Sequence, residues 1–238
     1  ANDFTVEDGW VVWWANVENS KRPGTEIWGV PLAGGQARRL VVAPGSGIDF
    51  MAVGEGKVHW SYDGNEKQVY SAPLTGDGEA RAIPGSKGYH VVSWPWIGSP
   101  GERTDNRSTT GEEQEILYRT LRNAETGETR TSVDMNGTWS CGLSWCVGTS
   151  KDKAYAQRRD GSGRKSFEDM DSMSAVEMVP VPVRDRFFVD VSTIADTHTG
   201  KVGRLDQEGN TYRALADDRL HYSYIKDGFE LIDLAAIE

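Results

Sequence analysis

Apolar and polar positions alternate along this chain in short runs, broken every few residues by Gly, Asp or Asn. Period-two alternation over four to eight residues predicts half-buried strands, and the breakers predict turns between them. "EIWGVPLAGGQARRL" (26–40) reads as a strand, a Gly-Gly turn and a second strand; "QVYSAPLTGDGEARAI" (68–83) repeats it. Taking Trp28 and Tyr70 as equivalent, further copies fall at Tyr118, Tyr155 and Gly203, at intervals of 42, 48, 37 and 48 residues. Each copy predicts a hairpin.

A second unit lies between those hairpins. "NDFTVEDGWVVWW" (2–14) matches "IDFMAVGEGKVHW" (48–60) with one residue inserted, and "LHYSYIKDGFELIDL" (220–234) has the same shape. Segments 89–98, 137–148 and 180–192 are looser versions. Joined to the hairpin that follows, each unit has four strands in roughly 40–50 residues, the period of a propeller blade. A lone four-stranded sheet cannot bury both faces, whereas sheets packed around an axis bury them against their neighbours. The expectation is one all-β domain over 1–238: a β-propeller of four-stranded antiparallel blades, six with an incomplete last blade, or five as the alternative. Closure is expected to pair the strand near Phe4 with the strand near Leu231. Segment 99–114 predicts a long loop, and 168–178 a short helix capped by Asp171 or Ser172.

The repeats resemble those of TolB-like β-propellers. The core is "IWGVPLAGGQARRL", extended by "HWSYDGNEKQVYSAPL" with Trp60, Asp63 and Gly64 in the family's order; Tyr62 stands where the family usually has Pro. The match is good over 1–85, fair at 115–133 and 201–215, and poor at 137–192. The resemblance implies an envelope or secreted binding propeller, a sensor or adaptor, or the non-catalytic part of a peptidase. It transfers no catalytic residue.

Charge removes one class of partner. The formal net charge is −10, so a nucleic acid backbone would be repelled; the doublets Arg38-Arg39, Arg158-Arg159 and Arg164-Lys165 read as solvated strand or turn surface. No apolar run approaches the roughly 20 residues of a membrane-spanning helix. The chain starts "ANDFTVEDGW" without Met, as removal of a signal peptide or trimming of a longer chain would leave it. Cys141 and Cys146 are the two cysteines. Their C-x4-C spacing differs from the redox C-x-x-C, and no second pair completes a zinc site. A disulfide closing a tight hairpin is the expectation, with two free thiols as the alternative; a disulfide implies an oxidising, extracellular or envelope compartment.

No nucleophile elbow, zincin, Walker or EF-hand motif is present, so the catalytic residues are unknown and no cofactor is expected. One constellation stands out. The repeats align Asp3, Asp49, His90 and His221 at one position near the start of the leading strand, the strand nearest a propeller's axis. Such a ring would line the channel mouth and hold a polar ligand or a divalent metal; a solvated channel lining is the plainer alternative. Trp94 and Trp96 in "SWPWIG" are the candidates for an exposed aromatic contact, whereas most other tryptophans fit packing between blades. His59 is expected to be structural and His198 to lie in an exposed turn. The leading expectation is a monomeric binding module for a protein, peptide or glycan. The alternative is a carbohydrate-active hydrolase or lyase recruiting Asp3, Asp49, Asp63, Asp134 or Asp190.

Overall fold

A computed structural model describes residues 3–17, 24–43, 47–62, 68–76, 78–101, 115–151, 153–167, 179–180, 185–190, 193–204, 215–216, 220–225, 228–233 and 236. They contain strands in six sheets. The first holds β1 (Asp3–Glu7), β2 (Trp10–Val17), β3 (Gly24–Pro31) and β4 (Arg38–Ala43) in chain order. The second holds β5 (Ile48–Gly54), β6 (Lys57–Tyr62), β7 (Tyr70–Pro73) and β8 (Arg81–Ala82), again in chain order. In both, the leading hairpin is closed by two residues with positive φ: Asp8 and Gly9 at 47° and 77°, Glu55 and Gly56 at 52° and 70°. Two successive left-handed residues are the turn whose twist matches that of the flanking strands.

The third sheet begins with β9 (His90–Ser93) and β10 (Trp96–Ser99). The chain then makes β11 (Glu115–Leu117), β12 (Thr120–Asn123) and β13 (Thr129–Thr131); β12 and β13 complete the order β13-β12-β10-β9. β11 instead lies parallel to β14 (Thr138–Cys141) in a five-stranded sheet with β15 (Trp145–Ser150), β16 (Lys153–Arg158) and β17 (Lys165–Phe167). The expected strand around Tyr118 is therefore two strands in two sheets. Tyr118 is the break: it is buried with φ of 52°, a conformation that ends a ladder.

β18 (Val179–Pro180), β19 (Phe187–Asp190), β20 (Thr193–Asp196) and β21 (Val202–Arg204) form the fifth sheet in chain order. β22 (Leu215–Ala216), β23 (Leu220–Ile225) and β24 (Gly228–Asp233) form a three-stranded sixth. The hairpin expected around Gly203 is also divided: β21 pairs with β20, and β22 with β23. The closing pair expected from the chain ends is not among the described pairings, where β1 joins β2 and β24 joins β23. The expected helix at 168–178 lies outside the described residues.

The chain divides into two compact units, 1–102 with 121–129, and 103–120 with 130–238. In the first, Val12, Ile27, Leu40, Val58 and Trp60 form a core shared by the first two sheets, and Ala52, Val69, Val91 and Ile97 one shared by the second and third. In the second, Trp145, Ala156 and Phe167 pack against Phe188 and Ala195, joining the fourth and fifth sheets. Burial between successive sheets is what the repeat requires.

Candidate functional site

The leading strands β1, β5 and β9 adjoin one another in sequence order, and side chains tie them together. Glu7 Oε2 accepts from Val53 N at 2.5 Å, linking β1 to β5. Ser61 Oγ accepts from Val91 N at 3.1 Å, linking β6 to β9. Between these ties, Asp49 Oδ2 meets His90 Nδ1 at 3.2 Å. The regular ladder does not dictate where Asp49 points: the β5–β6 register jumps between the pairs Ile48↔Tyr62 and Met51↔Trp60, leaving Asp49 and Phe50 in a bulge. A bulge re-aims its side chains and recurs beside functional sites.

The two partners are not in the same environment. His90 is fully buried, whereas the Asp49 side chain is 23% exposed. With Nδ1–H donating to Asp49, the other ring nitrogen is a lone-pair acceptor, and His90 Nε2 is buried without a hydrogen-bond partner among the described residues. Gly101 lies flat against this ring, so close that a Cβ there would overlap the imidazole. The structure thus brings together two of the four aligned residues. Asp3 and His221 lie in β1 and β23, where the backbone alone is described; β23 is the middle strand of its sheet, unlike β1, β5 and β9, which are leading edge strands.

Trp94 departs from the exposed contact expected of it. It is half-buried and stacks on His59 with ring centroids 3.4 Å apart and 11° between planes. Its indole edge lies against Gly54, where a Cβ would not fit, and its Nε1 is buried without a partner among the described residues. Trp96 is half-buried as well. His59 is 2% exposed, and its Nε2 donates to Gly54 O at 3.3 Å. Burial lowers its pKa to about 4, against the Gly54 bond and helped by the Lys57 charge. His198 is exposed in a turn, as expected.

Of the other carboxylates considered, Asp134 is exposed and paired with Arg119. Asp63 lies outside the described residues, and Asp190 is described by its backbone alone. Among the described residues, no three metal-ligating side chains cluster, and no helix is long and apolar enough to cross a membrane.

Cys141 and Cys146 form a disulfide, facing each other across β14 and β15. The residues that grip this hairpin are invisible in the sequence pattern. Arg159, expected at the surface, is 7% exposed. Its guanidinium donates to Gly142 O at 2.8 Å, to Tyr118 O at 2.9 Å and to Arg119 O. Asp185 accepts from the backbone N–H groups of Leu143, Ser144 and Trp145 and from the Ser144 hydroxyl. Burial lowers the Arg159 pKa to about 10, against the pull of Asp185, with Arg130 adding to the fall. Burial raises that of Asp185, against those same hydrogen bonds. A second buried cation, Arg186, donates to both oxygens of Asp196, at 2.8 and 2.7 Å. Burial pushes the Asp196 pKa up, but Arg186, the His198 N–H and Thr199 outweigh it and bring it to about 2.

No protein-family model matches the chain, and no curated protein matches it. Solved structures do. The acylaminoacyl peptidase of Pyrococcus horikoshii superposes with a TM-score of 0.54 at 11% identity, over 96% of this chain and 43% of that one. The β-propeller domain of the Trilobed protease from Pyrococcus furiosus does so with a TM-score of 0.51 at 11% identity, over 96% of this chain and 80% of that one. The fold is a β-propeller. TolB from Acinetobacter baumannii is also among the similar structures, with a TM-score of 0.39 at 16% identity, over 66% of this chain and 40% of that one. The propeller chain thus spans less than half the length of the peptidase it superposes on.

Proposed function

We propose that this chain is a binding module of the cell envelope or extracellular space, which takes a protein, peptide or glycan where its leading strands begin. The observation that carries this reading is the Asp49–His90 pair. Two residues from different sheets meet at a bulge, one side chain reaches solvent, and the buried ring behind it has an unused acceptor. Other buried polar atoms, among them His59 Nδ1 and Trp60 Nε1, also lack a described partner; what sets His90 apart is that its ring holds a carboxylate that reaches solvent. In this reading the six sheets are the blades of one monomeric ring, the three-stranded sheet being the incomplete last blade. The buried disulfide supports an oxidising compartment.

Peptide is the first class to examine, because two of the superposable propellers belong to proteases, and propeller faces serve as binding platforms apart from any catalytic domain. The test is capture by the immobilised chain on peptide and glycan arrays, repeated with Asp49→Asn and His90→Gln, with folding followed by circular dichroism. Binding by the parent chain, lost in both folded variants, is the expected result. Unchanged binding by both variants refutes the placement of the site.

A further inference from the structure

We infer that Asp49 recognises a positively charged side chain, a lysine or arginine, on an extended segment of the bound peptide. This rests on the peptide-binding reading above and names what that site selects.

Several carboxylates among the described residues are held by groups of the chain itself. Asp196 is held by Arg186, Glu26 by Arg39 and Asp134 by Arg119, each an ion pair with a cation of the chain itself. Asp185 accepts from three successive backbone N–H groups, and Glu7 Oε2 from Val53 N. Asp49 differs. Its one described partner is an imidazole nitrogen, bound through Oδ2, and no lysine or arginine among the described residues is paired with it. Its other oxygen, Oδ1, has no protein partner among the described residues, while the side chain remains partly open to solvent.

His90 donates to Oδ2 through Nδ1–H and so fixes the carboxylate's orientation, while the Asp49 side chain reaches solvent. The carboxylate is also stiff. It sits in a bulge between two ladder pairs, on a ring packed against Gly101. An oriented carboxylate with one open oxygen suits an ammonium or guanidinium N–H, and a charge-assisted bond of this kind is roughly twice as strong as a neutral one. The net charge of −10 draws cationic segments toward the chain at long range.

The experiment uses the intact chain and an array of N-acetylated, C-amidated peptides. Each sequence is printed in four forms, with Lys, Arg, Glu or Gln at one central position. The parent chain and Asp49→Asn are compared, with and without calcium chloride. Asparagine keeps an oxygen for the His90 bond and removes the charge, so its fold is expected to persist, as thermal melting will check. Retention of Lys and Arg forms at least tenfold above Gln and Glu forms, abolished by Asp49→Asn, is the expected result. Equal retention of Gln forms, equal retention by Asp49→Asn, or retention that requires calcium overturns this inference and leaves peptide binding standing. Retention of no peptide overturns both.

Discussion

Two polar knots, one in each unit, show how differently a buried charge is used. Around the Cys141–Cys146 hairpin, Arg159 and Asp185 both hold one short turn. Arg159 takes the carbonyl of Gly142 and Asp185 the amides of 143–145, so the bonds they make go mainly to backbone, while Arg159 Nε and Asp185 Oδ2 are buried without a partner among the described residues. Around Asp49 and His90, one hydrogen bond joins two side chains, and Asp49 Oδ1 and His90 Nε2 have no partner among the described residues. A buried knot whose bonds go to backbone is a fastener. A knot that joins two side chains and partly faces solvent is placed to meet a ligand.

The contrast breaks most readily at Arg159. Arg159→Ala strips donors from three carbonyls and leaves Asp185 without its cation, so chemical denaturation should show a loss of about 4 kcal/mol. A loss under about 1 kcal/mol would mean the second knot is decorative and the distinction fails.

Acid should separate the two units next. His59 in the first has a pKa of about 4 against 6.5 in an unfolded chain. The unfolded state therefore takes up the proton first, and stability falls as the pH drops from 6.5 to 4, by about 3 kcal/mol at most. Asp196 in the second, at about 2 against 3.8, contributes stability above pH 3.8 that is lost between there and pH 2. Asp185, raised by burial, acts in the opposite sense, since the folded form is the one that takes up its proton first. Stability measured against pH in parent and His59→Phe should show the upper slope flattened in the variant and the lower one kept.

Replacing both cysteines by serine should cost about 2 kcal/mol, because the loop they close is short; equilibrium unfolding with and without reductant checks this. The smallest effect belongs to the first knot. Asp49→Asn should shift stability by less than about 1 kcal/mol, and a larger loss would make that knot a fastener too.

Much of the fold was legible because its signals are local. Asp8-Gly9 and Glu55-Gly56 announce tight hairpins by composition, and the spacing of Trp28, Tyr70 and Tyr155 repeats the sheet. Nothing local marks Tyr118 as a residue that turns left-handed and hands the chain from one sheet to another; β11 finds its partner β14 23 residues on. Aligning the repeats placed Asp49 and His90 at equivalent positions, and in the structure they touch. The bulge that turns Asp49 and the unused His90 nitrogen depend on register and packing, which alternation does not encode. Arg158 and Arg159 look alike in sequence. One is exposed over Trp145, while the other is buried against carbonyls up to 41 residues away, a distinction carried entirely by non-local partners.

Gly101 gives outside access to the first knot. Because no methyl group fits between that backbone and the imidazole, Gly101→Ala would dislodge the ring while both members of the pair keep their identity. The carboxylate would survive with its aim removed, so this one position offers a dimmer for the pair, separating the possession of a charge from the ability to point it.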